Sequence, residues 1–169
     1  MTEQTKTVLS VTPNPAVDMS ASLEHVTPER KLRCDKPRRE PGGGGINVSR
    51  AICKMGGDSL ALFPAGGRSG QLLCDLLADE GVTYEAVAVE DMTRENLVIF
   101  ERASGCQYRF GMPGAHLSER EGERLIARLE NRDSVPDFVV GSGSLPPGAP
   151  ADLYRRLAAA ASARGARFV

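Results

Sequence analysis

The sequence predicts an α/β fold in which a mostly parallel sheet carries helices on both faces. Three observations support this prediction: strand-like apolar runs alternate with helix-like ones, glycine-rich turns follow the strands, and two polar strand-like stretches stand apart from the alternation. The 169 residues, of which 41% are hydrophobic, suffice for one domain with a buried core. Helices between successive strands favour a parallel sheet, because parallel neighbours need a long crossover connection.

The first half of the chain contains two strand–helix units. Thr7 to Val11 is an apolar run that predicts a strand ending at the Pro13-Asn14-Pro15 turn. Apolar residues at helical spacing predict a helix that ends at Gly56-Gly57, and these residues are Val48, Ala51, Ile52 and Met55. Ser59 to Phe63 predicts the next strand. A second helix, ending at Gly81, carries Leu72, Leu73, Leu76 and Leu77.

The second half continues this pattern. Ser118 and Glu121 have the spacing of a capping box, which predicts the start of a helix that carries Leu125, Ile126 and Leu129. Residues 137–140 predict a short strand, and 150–163 an alanine-rich helix that Gly165 ends. Arg167-Phe168-Val169 has the pattern of a newly started strand.

Two stretches do not fit the alternation. Residues 21–40 are polar and strand-like, with alternating character in Lys31-Leu32-Arg33-Cys34. Residues 96–101 and 107–112 predict a strand pair around a Ser104-Gly105 turn. Side chains alternate across a strand, so Tyr108 and Phe110 are expected on one side of it and Gln107 and Arg109 on the other. These pieces predict a small β-layer beside the main sheet.

Composition excludes several classes of partner. The formal net charge of −1 gives no reason to expect a nucleic-acid or membrane partner, and no apolar segment is long enough to cross a bilayer. The polar segment Met1 to Lys6 lacks the apolar run of a signal peptide, so we expect a cytoplasmic protein. His25, His116 and the four cysteines have no metal-ligand spacing, so we expect no metal site among them.

The run Pro41 to Asn47 contains four consecutive glycines and leads into the first predicted helix. Glycine adopts backbone conformations closed to other residues and lets a ligand approach the main chain. Unpaired N–H groups of the helix would face that ligand, which favours anionic or hydroxyl-rich groups. The run matches neither a Walker A loop nor a G-x-G-x-x-G fingerprint. A flexible glycine loop, with Asn47 an ordinary helix residue, is the alternative that the run alone leaves open.

Charged residues near the strand ends are further candidates. Asp18 follows the first strand and its turn, a place where open α/β sheets contact ligands, and its carboxylate can accept hydrogen bonds from sugar hydroxyls. A solvated loop aspartate explains it equally well. Lys31, Arg94 and Arg109 lie in the polar strand-like stretches. The arginine fork suits phosphate, although a single surface arginine is more often a solvated charge.

A second glycine-rich turn, residues 141–148, joins a strand to a helix. Ser142 or Ser144 can donate a hydrogen bond to a phosphate there. The alternative is a tight turn in which a serine caps the helix.

Four motifs together resemble the PfkB family of sugar kinases, which has the ribokinase-like fold. In chain order they are Asn14-Pro15-x-x-Asp18, Gly42-Gly43-Gly44-Gly45-Ile46-Asn47-Val48, Phe63-Pro64-Ala65-Gly66-Gly67 and Gly141-Ser142-Gly143-Ser144-Leu145-Pro146-Pro147-Gly148. Within the family, the likeness is to the ATP-dependent 6-phosphofructokinases, and the segments that carry it are residues 31–34, 93–97 and 107–115. Relatives that act on fructose 1-phosphate or tagatose 6-phosphate usually have lysine where this chain has Gly44, which favours fructose 6-phosphate here.

The resemblance implies roles for particular residues. Asp18, Gly43 and Asn47 would hold the sugar hydroxyls, with Gly42 in the same substrate site. The phosphate would be surrounded by Lys31, Arg94, Arg109 and Ser144. The β-layer would be the family's lid, which would also join two subunits in a homodimer. The parent enzyme would use ATP and Mg²⁺ to phosphorylate the 1-hydroxyl of fructose 6-phosphate, a step of glycolysis.

The family's Gly-Ala-Gly-Asp signature, whose aspartate is the catalytic base, does not occur in these 169 residues, and neither does its Asn-x-x-Glu metal motif. We therefore interpret residues 1–169 as the N-terminal part of one kinase domain, with lid strands at about 20–40 and 94–112 inserted in the α/β core. No catalytic residue is expected in this chain, which by itself should be inactive. A 1-phosphofructokinase, a tagatose-6-phosphate kinase and a non-catalytic sugar-phosphate-binding module are the alternatives.

Overall fold

A computed structural model describes residues 6–169. The polar residues 1–5, most of the segment interpreted above as lacking a signal peptide, lie outside the described residues. The described part contains nine strands and four helices, in the order β1 (Val8–Val11), β2 (Ala16–Leu23), β3 (Arg38–Gly42), α1 (Gly44–Lys54), β4 (Ser59–Ala65), α2 (Gly67–Asp79), β5 (Tyr84–Ala88), β6 (Arg94–Glu101), β7 (Gln107–Phe110), α3 (Glu119–Glu130), β8 (Phe138–Gly141), α4 (Leu153–Ala163) and β9 (Arg167–Phe168).

Five of these strands form a parallel sheet in the order β5-β4-β1-β8-β9. The sheet has one hydrophobic core on each face, and successive residues of β4 point to opposite faces: Leu62 packs in one core and Phe63 in the other. The first core contains residues of α3 and α4, the second residues of α1 and α2. Helices therefore cover both faces, and the predicted α/β fold is confirmed.

The other four strands form a second sheet in the order β3-β2-β6-β7, which we call the lid sheet. Strands β2 and β6 run parallel over their full length, from Ala16 opposite Arg94 to Leu23 opposite Glu101. The predicted small β-layer is present, but it begins at Ala16 rather than near residue 20.

The strand predicted around Lys31 is wrong. Residues 24–37 form an exposed connection without strand structure between β2 and β3. The two strands pair in register only as far as Ser20 opposite Arg38. Beyond that point one backbone hydrogen bond, from the Asp35 N–H to the Ser22 carbonyl (2.9 Å), joins the connection to β2, which does not make a strand. Ion pairs from Arg102 to Glu24 and Asp35 hold this connection against the end of β6.

Helix α1 lies where the sequence predicts it, but it buries a different row of residues. Ile46 and Ser49 are fully buried, whereas Ala51 is exposed and Met55 is 78% exposed. Ser49 packs on the sheet through a 2.8 Å hydrogen bond between its hydroxyl and that of Ser10. A search for apolar spacing misses a helix face that is buried through a polar pair.

Strand β5, at Tyr84–Ala88, has no counterpart among the strands predicted from sequence. Local signals elsewhere are confirmed: Ser118 and Glu121 form both hydrogen bonds of the capping box. Gly81 and Gly165 have the positive φ values expected of residues that follow a helix. No helix in the described range is long and apolar enough to span a bilayer.

Candidate functional site

The candidate residues gather where the carboxyl ends of β1 and β8 meet the glycine run and the start of the lid sheet. Both strands are parallel neighbours, so the turns that follow them emerge at the same edge. Thr12 follows β1 and Ser142 follows β8, and the glycine run lies against both. This is the usual place for a ligand in an open α/β sheet.

The glycine run is packed tightly. A Cβ added to Gly45 would lie 2.6 Å from Thr12 Oγ1 and 2.7 Å from the Val11 carbonyl oxygen. A Cβ on Gly44 would collide with the Ser142 hydroxyl, and Gly43 has φ +120°, which L side chains rarely adopt. The glycines are thus required by close approach, which argues against the flexible-loop alternative.

Two of the α1 N–H groups expected to face a ligand are already paired. The Gly45 N–H donates to the Ser142 carbonyl (3.2 Å), and the Ile46 N–H to Thr12 Oγ1 (2.8 Å). Within residues 6–169 the Gly44 N–H has no such partner. The helix N-terminus therefore offers a ligand fewer donors than the sequence predicted.

Asp18 lies on strand β2 and is half-buried, so it is not a solvated loop residue. Its Oδ1 accepts a 2.9 Å hydrogen bond from Asn96 Nδ2, and Asn96 is its register partner on β6. A Cβ on Gly42 would collide with the other side of the carboxylate. Gly42 thus leaves the room that the Asp18 carboxylate needs.

Asp18 and Arg109 line the same small pocket, of about 150 Å³, together with Asn96. Arg109 is paired in register with Val98, two residues beyond Asn96 on the same side of β6. The Arg109 side chain makes no hydrogen bond or ion pair within the described part of the chain, so its guanidinium is available to a ligand. The pocket therefore combines an acceptor carboxylate with a donor fork.

Arg94 is engaged differently. Its Nη2 donates to the Asn14 carbonyl (3.0 Å), its Nη1 to the Met112 carbonyl (3.2 Å) and its Nε to the Pro15 carbonyl (3.4 Å). Three of its five N–H groups are thus engaged. Two of them tie the lid sheet to the turn after β1, and the third binds the segment after β7. Its predicted contact with a phosphate stays a prediction, and the remaining two N–H groups would have to make it.

Ser144 is exposed in the turn after β8, and its hydroxyl accepts a 3.0 Å hydrogen bond from Asn14 Nδ2. Tyr154 holds this turn by donating to the Gly143 carbonyl (2.7 Å). Burial raises the pKa of the Tyr154 hydroxyl, which keeps it a donor. The Ser144 hydroxyl proton remains free for a phosphate oxygen.

Asn47 is exposed on the first turn of α1, and its Oδ1 accepts a 3.2 Å hydrogen bond from Arg50 Nη1. Arg50 also binds the Glu80 carboxylate and the Pro41 carbonyl. Lys31, by contrast, lies in the exposed connection and lines none of the pockets near Asp18. The structure therefore groups Asp18 with Arg109, and does not bring Lys31 to them.

The family model for the pfkB family of carbohydrate kinases matches residues 10–169. This chain belongs to that family. The motifs that suggested the family from sequence, from Asn14 to Gly148, all lie within the matched region.

The pfkB relatives include enzymes named for phosphofructose substrates. The chain is 46% identical over 151 residues to ATP-dependent 6-phosphofructokinase isozyme 2 of Mycobacterium tuberculosis, covering 89% of this chain and 44% of that protein. It is 45% identical over 162 residues to the Escherichia coli protein of the same name, covering 96% and 52%. A 1-phosphofructokinase of Xanthomonas campestris is 33% identical over 163 residues, covering 95% and 51%. The chain thus spans about half the length of these curated relatives.

The fold agrees with solved structures of the family. Phosphofructokinase-2 from Escherichia coli in complex with fructose-6-phosphate superposes with a TM-score of 0.90 at 45% identity, covering 96% of this chain and 53% of that one. The tetrameric inhibited form of the same enzyme gives 0.88, covering 95% and 53%. The ribokinase-like fold expected from the resemblance is confirmed.

In this pfkB domain, residues 6–169 contain no group of three or more His, Cys, Asp or Glu side chains that fits a metal ion. The use of Mg²⁺ that the family resemblance implies stays a prediction. Sequence reasoning missed Asn96 and Arg50 as site residues. Asn96 stands inside the family-like segment 93–97 and Arg50 two residues after the glycine motif, but only their contacts in the fold single them out.

Proposed function

We propose that this chain is the sugar-phosphate-binding half of a kinase that phosphorylates fructose 6-phosphate at its 1-hydroxyl with ATP. The observation that carries the proposal is the pocket shared by Asp18 and Arg109. An ionised carboxylate accepts hydrogen bonds from sugar hydroxyls, and an arginine without an internal partner suits a phosphate. The relatives named 6-phosphofructokinase support this choice of substrate.

The reaction transfers a phosphoryl group. The bond between the γ-phosphorus and its bridging oxygen breaks and ADP leaves with the electron pair, while the sugar's 1-oxygen bonds to phosphorus and loses its proton to a base. Such transfers depend on positioning and on stabilisation of charge. Asp18 and the glycine run would hold the sugar hydroxyls, and Arg94, Arg109 and Ser144 would surround the phosphate. Lys31, in the exposed connection, would have to move to join them.

A 1-phosphofructokinase or a tagatose-6-phosphate kinase is the second candidate, favoured by the similarity to the Xanthomonas campestris enzyme. Gly44 argues for fructose 6-phosphate, because the relatives that act on the other two sugar phosphates usually have lysine there, and a side chain at this position would collide with Ser142 in this backbone arrangement. A lysine at this position would require Ser142 to move.

We also propose that the lid sheet joins two copies of the complete enzyme. Large apolar side chains are exposed on and beside this sheet: Leu32, Phe100, Tyr108, Phe110 and Met112. Tyr108 and Phe110 share one face of β7, whereas Phe100, the register partner of Gln107, faces the other side of the sheet. Apolar side chains exposed together on one face are typical of a protein interface. We expect the enzyme to act in the cytoplasm, in glycolysis.

The proposal is tested by calorimetric titration of the 169-residue chain with fructose 6-phosphate, fructose 1-phosphate, tagatose 6-phosphate and fructose. We expect fructose 6-phosphate to bind most tightly and fructose, which lacks the phosphate, most weakly. Asp18→Asn should weaken binding without lowering the melting temperature, whereas Arg120→Ala, at an exposed arginine on α3, should change neither. No binding of any sugar phosphate would refute the proposal, and tighter binding of fructose 1-phosphate would favour the second candidate.

A further inference from the structure

Asn96 joins two parts of the lid sheet through both ends of its side-chain amide. Its Oδ1 accepts a 3.0 Å hydrogen bond from the Met112 N–H, and its Nδ2 donates the 2.9 Å bond to Asp18 Oδ1. Met112 follows β7, whereas Asp18 lies on β2. One side chain on β6 thus contacts its neighbours on both sides.

The two contacts fix which way the amide points. A backbone N–H is a donor only, so the Met112 N–H must meet the amide oxygen. The amide nitrogen then faces Asp18, where an ionised carboxylate can only accept. Neither contact is possible with the amide reversed, so the orientation is set by the chemistry of its partners.

This orientation decides which oxygen of Asp18 remains for a ligand. Oδ1 is occupied by Asn96, while Oδ2 has no hydrogen-bond partner within the described residues and lies against Gly42, which has no side chain to cover it. Asp18, Asn96 and Arg109 line one pocket. Asp18 thus lines the pocket that Arg109 lines, with Oδ1 bound to Asn96 and Oδ2 on the Gly42 side of the carboxylate.

The Met112 backbone is held at both of its polar groups. Asn96 accepts from its N–H, and Arg94 Nη1 donates to its carbonyl. Met112 comes three residues after Arg109 and two residues after the end of β7. Asn96 thus relates the position of the Asp18 carboxylate to the segment that carries Arg109.

We propose that Asn96 is a positioning residue for substrate, which holds Asp18 with its Oδ2 directed to a sugar hydroxyl at a fixed distance from Arg109. This inference rests on the proposed function, because it needs a sugar phosphate in the pocket. Asn96 acts through Asp18. Its loss weakens binding of the sugar phosphate because the carboxylate is no longer held in one position.

Two substitutions at Asn96 test this role by calorimetric titration of the chain with fructose 6-phosphate. Asn96→Ala removes both contacts and should weaken binding by about tenfold, the value of one lost hydrogen bond to a charged group. Asn96→Asp keeps the shape but places two carboxylates within hydrogen-bonding distance. Such a pair repels when both are ionised, and becomes favourable when the two share one proton.

Binding by Asn96→Asp should therefore depend on pH in a way that binding by the unsubstituted chain does not. Relative to the unsubstituted chain, the variant should bind fructose 6-phosphate most weakly at pH 8, and its affinity should recover towards pH 5. Dividing the affinity of Asn96→Asp by the affinity of the unsubstituted chain at the same pH removes the effect that titration of the sugar phosphate has on both. The other charged groups near Asp18 are Arg109 in the pocket and Glu40, its register partner on β3, which is ion-paired with Arg38 and Arg50.

Glu95→Gln is the matched control, because Glu95 is exposed, adjacent in sequence and on the other side of β6. It should bind as the unsubstituted chain does at every pH. Unchanged affinity in Asn96→Ala, or an Asn96→Asp ratio that does not vary with pH, would overturn the positioning role alone. Failure of the unsubstituted chain to bind would overturn the proposed function and this role with it. Melting curves for each variant confirm that folded protein is compared.

Discussion

Arg50 donates two hydrogen bonds of 2.6 Å to the Glu80 carboxylate, from Nε and Nη2. The same guanidinium reaches the Pro41 carbonyl (2.9 Å) and Asn47 Oδ1 (3.2 Å). One side chain, only 12% exposed, thus connects the end of α2 with β3 and the first turn of α1. Pro41 precedes the four glycines and Asn47 follows them, so the hydrogen bonds from Arg50 hold both ends of the glycine run.

We expect Glu80→Gln to lower the free energy of unfolding by about 2 kcal/mol, because Arg50 would keep its burial and lose the nearer of its two charged partners, leaving Glu40 at 3.3 Å. The hydrogen bonds from Arg50 hold the pKa of the Glu80 carboxyl below its ordinary value. The pair therefore stabilises the fold above about pH 4.3, and this stabilisation is lost as pH falls through the lowered pKa.

Urea denaturation at pH 7 and at several values below pH 4.5 checks this prediction. The difference between Glu80→Gln and the unsubstituted chain should shrink as the pH falls. Asp79→Asn, at the exposed neighbouring residue, is the matched control and should change stability little. A difference that stays constant down to pH 3 would contradict the assigned ion pair.

Gly45→Ala should destabilise the chain by about 2 kcal/mol, because its Cβ would press on Thr12 Oγ1 and on the backbone of β1. Gly111→Ala adds the same methyl group where no atom lies within 4 Å. We expect it to change stability by less than about 0.5 kcal/mol. Equal melting temperatures for the two variants would show that the glycine run is not closely packed.

We expect Arg109→Ala to affect mainly the binding of fructose 6-phosphate and Arg94→Ala to affect the stability of the fold as well. Arg109 has no internal partner, so its loss should weaken fructose 6-phosphate binding by about thirtyfold with little change in melting temperature. Arg94 donates to three carbonyls, so its loss should lower the melting temperature as well. Calorimetric titration and thermal melting of both variants decide this. A stable Arg94→Ala variant would contradict its role as a tie between lid and core.

The chain should self-associate through the open edge at β9. Within the described residues this strand pairs with β8 alone, and Val169 beside it is 63% exposed. An uncovered sheet edge with apolar neighbours is a template for pairing with another chain. Sedimentation velocity should show association that increases with concentration and that Val169→Lys reduces. Met92→Lys, which changes a residue that is 62% exposed at a different place, should leave it unaffected.

Local signals in the sequence were sufficient for much of the fold. The capping box of Ser118 and Glu121 and the glycine after α2 specify helix ends through contacts within a few residues. Apolar spacing located the helices for the same reason. The strand predicted near Lys31 failed because alternation describes a strand only where a partner strand exists. Strand β5 was missed because its burial depends on β4.

The sequence by itself determined the family, the alternation of strands and helices, and the residue types of the site: glycines, one carboxylate and several arginines. Only the tertiary structure decided which of these act together. Arg94 and Arg109 look equivalent along the chain, yet one is occupied by three carbonyls and the other faces a pocket with Asp18. Asn96 lies beside Asp18 because β2 pairs with β6 in this register. Contacts between residues about eighty positions apart depend on strand register, which no local pattern in the chain specifies.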